Sequence, residues 1–327
     1  MKTATSLFGT SRSIGDEVVL SGDIPQNLGV VAMSVNKLKF LDIFAGIGGF
    51  RLGLERAGHE CVGHVEIDKF ANQSYAAIHK PKESEVFFED ITRITDEDIR
   101  GLRDLGIDII AGGFPCQAFS IAGKRAGFED TRGTLFFDIA RIAREIKPKY
   151  LFLENVKGLL NHAKGDTFEV ILRTLDELGY DAEWEVLNSK DFGVPQNRER
   201  VFIVGHLRGR GGRKVFPIGE SNGAAAGIQG QTVGTITTRT GEAASVGSYV
   251  VENKQHAQIK QMKQPNLRIR KLTPKECWRL QGFPDWAFDR AREAGISDSQ
   301  LYKQAGNSVT VNVVEAIGRK LVMENDS

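Results

Sequence analysis

Of 327 residues, 41% are hydrophobic and 26% charged, a balance that allows a sizeable core and excludes wholesale disorder. The formal net charge of +1 is unevenly spread: residues 208–275 carry twelve Lys and Arg against three acids, which leaves −8 on the remainder. Three cysteines without a CxxC pair exclude a disulfide framework and a cysteine zinc site, the six histidines show no HxxxH or HExxH spacing, and no apolar run approaches the ~20 residues of a membrane span.

Residues 1–36 show no sustained periodicity and no apolar signal-peptide core, and are expected to form a mobile extension. From KFLDIF at 39–44, strand-like runs alternate with amphipathic helical ones: a glycine turn and GGFRLGLERAG, HECVGHVEI and DKFANQSYAAIHK, VFFEDI, IDIIAGGF, RGTLFFDIARIAREI, KYLFLENV, DTFEVILRTLDELG, AEWEVL and RVFIVGHL. This alternation predicts an α/β domain over 37–207 with a mostly parallel sheet, whose ligands bind at the carboxyl ends of the strands. From residue 208 the chain turns glycine-rich and basic, with short β-like pieces (KVFPI, TVGTITT, SYVVE), which predicts a small loop-rich second lobe over 208–269. Helical signals resume in LTPKECWRLQG and NSVTVNVVEAIGRKLV, within a C-terminal segment over 270–327.

The turn FAGIGGF supplies Gly46, Gly48 and Gly49, which let the backbone approach a ligand and turn into a helix with free N–H groups. Glu66, in HVEID, ends the second strand about 20 residues on, where a carboxylate can accept both hydroxyls of a ribose. Asp90, in FFEDI, ends the third and can accept from an adenine amino group. These features predict nucleoside binding without separating a dinucleotide, ATP and S-adenosylmethionine, although the lack of a following GK[ST] disfavours an NTPase.

In GGFPCQAFS, Pro115 fixes φ and lacks an N–H just before Cys116, at the mouth of the same cleft. A thiol there serves as a nucleophile if positive charge and exposure favour the thiolate; the alternative is an inert core cysteine. The stretch after it, SIAGKRAGFEDTRGTLF, is long enough to act as a lid. The fifth strand ends in LENV, which places Glu154 at the cleft as either a buried salt-bridge partner or a proton donor, and QNRER places Arg198 and Arg200 on one strand face.

Taken in order, FLDIFAGIGGFRLGLERAG, HVEID, EDI, GGFPCQAFS, LENV, QNRER, LTPKECWRLQGFPD and QAGNSV resemble the successive motifs of the DNA cytosine-5 methyltransferases of bacterial or phage restriction-modification systems. The resemblance runs from about residue 38 to the end, interrupted by the basic lobe. It implies a mostly parallel, Rossmann-like α/β domain that uses S-adenosyl-L-methionine to methylate C5 of a cytosine flipped out of duplex DNA. By the same resemblance Cys116 attacks C6, Glu154 assists at N3, Arg198 helps to hold the cytosine and supports the nucleophile, and Arg200 orients Glu154.

Cofactor contacts are implied at Phe44, Ala45, Gly46, Ile47, Gly48, Gly49, Glu66, Ile67, Asp90, Ile91, Pro115, Leu135, Asn307 and Ser308. Implied DNA contacts are Gln117, Ser120 and Arg132 in the mobile loop, with Thr235, Ile236 and Arg239 in GTITTR of the basic target-recognition lobe. Only 27 residues, 208–234, precede GTITTR, which suggests a compact lobe reading a short site, the alternative being a truncated lobe with relaxed or lost specificity. The expected setting is a cytoplasmic, nucleoid-associated monomer without metal or membrane, with double-stranded DNA as partner and a cognate restriction endonuclease as genetic partner. The rival readings are an RNA (tRNA) cytosine-5 methyltransferase on the same motifs and a non-catalytic DNA-binding homologue.

Overall fold

The computed structural model describes residues 37–115, 135–210, 212, 214–218, 249–253 and 267–321. The N-terminal extension, Cys116 with the loop after it, and most of the basic lobe lie outside the described residues.

Seven strands form one sheet in the order β3-β2-β1-β4-β5-β7-β6. They are β1 (Lys39–Ile43), β2 (Glu60–Val65), β3 (Val86–Phe88), β4 (Ile109–Gly113), β5 (Tyr150–Val156), β6 (Tyr180–Asn188) and β7 (Glu199–Leu207). Neighbours among β1 to β5 run parallel, whereas β7 is antiparallel to both β5 and β6. β1 and β4 are buried almost throughout, as parallel strands covered on both faces must be, and they read as largely apolar runs, interrupted in β1 by the buried Asp42. The chain reverses its direction of winding between β1 and β4, the switch point where an open α/β sheet leaves a crevice at its carboxyl edge.

Helices cover both faces: α1 (Gly49–Arg56), α2 (Lys69–His79), α3 (Asp96–Asp104), α4 (Leu135–Ile146) and α5 (Asp166–Glu177) are followed by α6 (Pro274–Leu280), α7 (Asp285–Glu293), α8 (Asp298–Asn307) and α9 (Val311–Gly318). α4 shows why the periodicity is legible, since Phe136, Phe137, Ile139, Ala140, Ile142, Ala143 and Ile146 are all buried on one stripe. The C-terminal helices pack against the N-terminal ones. A Cβ at Gly53 of α1 would lie 2.6 Å from Val314 of α9, so glycine there lets the two helices meet backbone to side chain. Arg290 of α7 donates to the carbonyl of Ile78 at the end of α2 at 2.7 Å.

The piece KVFPI, which the glycine-rich texture groups with the second lobe, lies against the sheet. Val215 and Phe216 are buried with Phe202 and Val204, and their N–H groups donate to the carboxylate of Glu183 on β6 at 2.6 and 3.1 Å. The apolar pair overrides the composition of its surroundings. Of the remaining lobe, an antiparallel pair is described, β8 (Tyr249–Asn253) with β9 (Leu267–Lys271).

Candidate active site at the strand ends

The carboxyl ends of β1 to β5 open into a cavity of about 580 Å³, whose wall is completed by Leu135 of α4, Arg198 and Arg200 at the start of β7, and the end of α8. At one end the chain leaves β1 through a turn in which Phe44, Gly46 and Gly48 take left-handed φ values of 52°, 56° and 80°. Glycine relieves the steric cost of that conformation at two of the three positions. The turn is tied to β2 twice, by Ala45 N–H donating to the Val65 carbonyl at 3.0 Å and by Gly46 N–H donating to Glu66 at 2.6 Å. The second Glu66 oxygen accepts the Asp68 N–H at 2.7 Å. Burial raises the Glu66 carboxyl, and the backbone donors Asp68 and Gly46 oppose that shift.

Beside Glu66, Ile67 is 64% exposed at the cavity wall, an apolar surface that the core does not use. Asp90 lies further along and accepts the Thr92 N–H and hydroxyl at 2.9 and 2.7 Å, which lowers its pKa. Ile91, Pro115, Leu135, Asn307 and Ser308 also line the cavity. Ala45, Gly48 and Gly49, grouped with them in the sequence, do not. Ala45 is buried, a Cβ on Gly48 would run into the His79 ring, and one on Gly49 would lie 2.8 Å from Ser308 and Val309. Gly48 therefore makes room for the His79 ring, and Gly49, the first residue of α1, for Ser308 and Val309.

At the other end stands Glu154, with 12% of its side chain exposed. Arg200, on the neighbouring antiparallel strand β7, places its Nε 3.0 Å from Glu154 Oε1. Burial raises the Glu154 carboxyl, while Arg200 and then Arg198 pull it back. Room for the carboxylate comes from Gly113, where a Cβ would sit 2.8 Å from Glu154 Oε2. Arg198 is buried, and its guanidinium donates to the carbonyls of Gly306 and Ser308 at 3.0 and 2.8 Å, joining this end of the cavity to the wall beyond α8. Burial and the neighbouring Arg200 push its pKa down to about 9, which still leaves a cation at neutral pH.

Three parts of the site have no local sequence signal strong enough to find them. Asn155 donates to the Phe114 carbonyl at 2.9 Å and accepts the Val156 N–H at 2.8 Å, which fixes the backbone just ahead of Pro115. Asp68 caps α2 through the N–H groups of Phe70 and Ala71 and meets Lys303 at 2.7 Å across the cavity rim. Gln304 accepts from the Ser74 hydroxyl at 3.1 Å and donates to the Phe70 carbonyl at 3.0 Å. A capping aspartate is readable in HVEIDK, but its partner 235 residues away is not.

Cys116, Gln117, Ser120, Arg132, Thr235, Ile236 and Arg239 lie outside the described residues. Among the described residues no group of three or more His, Cys, Asp or Glu could hold a metal ion, and no helix is long and apolar enough to cross a membrane.

Comparison with known proteins bears on the same features. The family model for C-5 cytosine-specific DNA methylase matches residues 38–223 and 218–323. The chain is 40% identical over 312 residues to Type II methyltransferase M.NlaX of Neisseria lactamica, covering 86% of this chain and 96% of that one. It is 38% identical to M.HpaII of Haemophilus parainfluenzae (88% and 89% covered) and 37% identical to M.HhaI of Haemophilus parahaemolyticus (86% and 93% covered). Two solved structures share its fold at lower identity. Dnmt2 methyltransferase of S. pombe superposes with a TM-score of 0.63 at 20% identity, covering 86% of this chain and 96% of that one. Methyltransferase EhMeth of Entamoeba histolytica gives 0.63 at 21%, covering 87% and 98%.

Proposed function

Since the chain belongs to the C-5 cytosine-specific DNA methylase family, we propose that it methylates C5 of a cytosine in double-stranded DNA, with S-adenosylmethionine as donor. The observation that carries the reading is Glu154: a carboxyl raised by burial, steadied by Arg200, and paired in register with Gly113 on the strand that leads to Pro115 and Cys116.

The described cavity suits the donor in size and chemistry. Its volume of about 580 Å³ is within the usual range for such ligands. Glu66 has acceptor capacity left for ribose hydroxyls, Ile67 offers an apolar face to adenine, Asp90 an acceptor to its amino group, and Gly46, Asn307 and Ser308 surround the space left for the amino-acid part. When bound, S-adenosylmethionine supplies an electrophilic methyl group to C5 of the base.

The protein's own residues make that carbon reactive. Cys116, as thiolate, forms a bond to C6 of the cytosine, and the displaced π electrons move toward N3, where Glu154 delivers its proton. The resulting C5=C4 enamine is nucleophilic at C5. After methylation, transfer of the C5 proton to water and β-elimination of the Cys116 sulfur as thiolate restore the C5=C6 double bond, and the N3 proton returns to Glu154. Glu154 thus meets charge as it develops, from a site built before the substrate arrives. Arg200 orients Glu154, and Arg198 holds the wall behind the base.

C5 and C6 are shielded within a stacked duplex, so the base must be extruded at a cost of a few kcal/mol. Gln117, Ser120 and Arg132 in the loop after Cys116 and Thr235, Ile236 and Arg239 in the basic lobe over 208–269 are proposed to hold the DNA, with residues 270–327 completing the catalytic domain. The proposed setting is a cytoplasmic, nucleoid-bound monomer with a cognate restriction endonuclease encoded alongside it.

Tritium transfer from methyl-labelled S-adenosylmethionine to duplex DNA and to tRNA tests the reading. Incorporation into DNA that Cys116→Ser abolishes is the expected result. Incorporation into RNA alone would move the substrate to the rival class, and none into either from folded protein would overturn the proposal.

A further inference from the structure

At the glycine turn, the last residue of α2, which does not line the cavity, touches the turn itself. His79 Nε2 lies 3.0 Å from the Ile47 carbonyl oxygen. A carbonyl can only accept, so Nε2 carries the proton. Burial, with Arg51 adding to it, pushes the imidazole down to about 3, so the ring stays neutral throughout the working range. Gly48 makes the approach possible, because a Cβ there would lie 2.0 Å from Nε2.

The peptide group between Ile47 and Gly48 is therefore held at both ends. Its N–H donates to the Ala45 carbonyl at 2.8 Å and its C=O accepts from His79 at 3.0 Å. A peptide next to glycine is the kind that can rotate at small steric cost, and this one directly precedes the first N–H groups of α1. Ile47 also lines the cavity. The ring is in turn supported, by the Tyr75 ring at 4.4 Å and by Arg290 of α7, which anchors the carbonyl of the adjacent Ile78.

We infer that His79 is a positioning residue for donor binding: it locks the Ile47–Gly48 peptide so that the turn and the start of α1 face the cavity in one fixed orientation. This rests on the reading of the cavity as the S-adenosylmethionine site. Without the donor at 79, the Ile47 carbonyl loses its partner and the peptide keeps one of its two ties, that of the Gly48 N–H to the Ala45 carbonyl. Orientation of the turn should govern how tightly the donor is held rather than the chemistry at cytosine, since Glu154 and Arg200 sit at the opposite end of the cavity.

The test compares His79→Phe, which keeps a ring without a donor, with His79→Gln, whose amide N–H can reach the same carbonyl. Binding of S-adenosylmethionine to full-length protein without DNA is measured by calorimetry, alongside kcat and KM on duplex DNA and the Tm. Phe at 79 should weaken binding by about tenfold, the worth of roughly one buried hydrogen bond. KM for the donor should rise with it while kcat stays within about twofold, a split that marks lost binding common to ground and transition states. Gln should recover most of the affinity. Where Phe costs folding, His79→Met supplies the same comparison through a softer side chain.

Wild-type affinity in a folded Phe or Met variant would overturn the inference and leave the donor site standing. So would a fall in kcat at unchanged affinity, or a folded Gln variant no better than Phe. Failure of the wild-type protein to bind the donor would reject the donor site and the inference together.

Discussion

Glu66 and Glu154 stand at opposite ends of one cavity, each just past or near the end of a parallel strand, and burial raises both. Their compensation differs. Glu66 is met by two backbone N–H groups, which carry no net charge and cannot leave. Glu154 is met by the guanidinium of Arg200, a full charge on a side chain, with Arg198 behind it. Backbone donors make a rigid acceptor, suited to fixing hydroxyls in place. A buried carboxyl raised by desolvation and drawn back by a neighbouring cation suits a group that gives and retrieves a proton.

That contrast breaks most sharply at Glu154. In Glu154→Gln the amide can still donate a hydrogen bond to N3 but cannot transfer a proton, and it leaves Arg200 without its counter-charge. We expect kcat for methyl transfer to fall by about 10²- to 10³-fold. Donor affinity, measured by calorimetry, should stay within about twofold, because Glu154 lies across the cavity from Glu66 and the glycine turn. Equal loss of donor affinity would show that the two ends do not act separately. Glu66→Gln should do the reverse at smaller scale. An amide has one acceptor oxygen where the carboxylate has two, so either Gly46 or Asp68 loses its partner and the ribose hydroxyls lose an anionic acceptor. Donor affinity should drop by about 10- to 100-fold, as for hydrogen bonds to a charged group. A kcat at saturating donor within a few-fold of wild type would support the division, and a larger fall in kcat than in affinity would end it.

Much of this site was legible before the structure, for a simple reason. Apolar runs alternating with amphipathic helices put Glu66, Asp90 and Glu154 at strand ends, and parallel strands align their carboxyl ends on one edge of the sheet. Arg198 and Arg200 were readable as neighbours of Glu154 because they share a face, although the insertion of β7 between β5 and β6, which brings Arg200 alongside, leaves no periodic trace. Pairings across long sequence distances escaped: Asp68 with Lys303, Gln304 with Phe70, and His79 with the Ile47 carbonyl. Gly48 and Gly49 were correctly placed in the turn, yet their bare Cα atoms make room for His79 and for Ser308 with Val309, and they stand off the cavity lining. A glycine pattern records that space is needed and does not say on which side.

The smallest effect we expect concerns the balance at Glu154 itself and is read as pH dependence. If the protonated carboxyl is the acting form, as proposed, kcat should decline as pH rises through the pKa of Glu154, which burial has raised and Arg200 has partly lowered again. Arg200→Lys keeps a positive charge but replaces the guanidinium fork with a shorter-reaching ammonium that cannot reproduce the 3.0 Å contact from Nε. The attraction favouring the ionised carboxylate then weakens, the folded-state pKa of Glu154 rises, and the proton is held to higher pH. The alkaline limb of the kcat profile should therefore move upward, with kcat on the acidic plateau within a few-fold of wild type. A downward shift would mean that the ionised carboxylate is the working form. An unmoved limb would mean that Arg200 orients Glu154 without tuning it, and that the contrast with Glu66 is one of geometry alone.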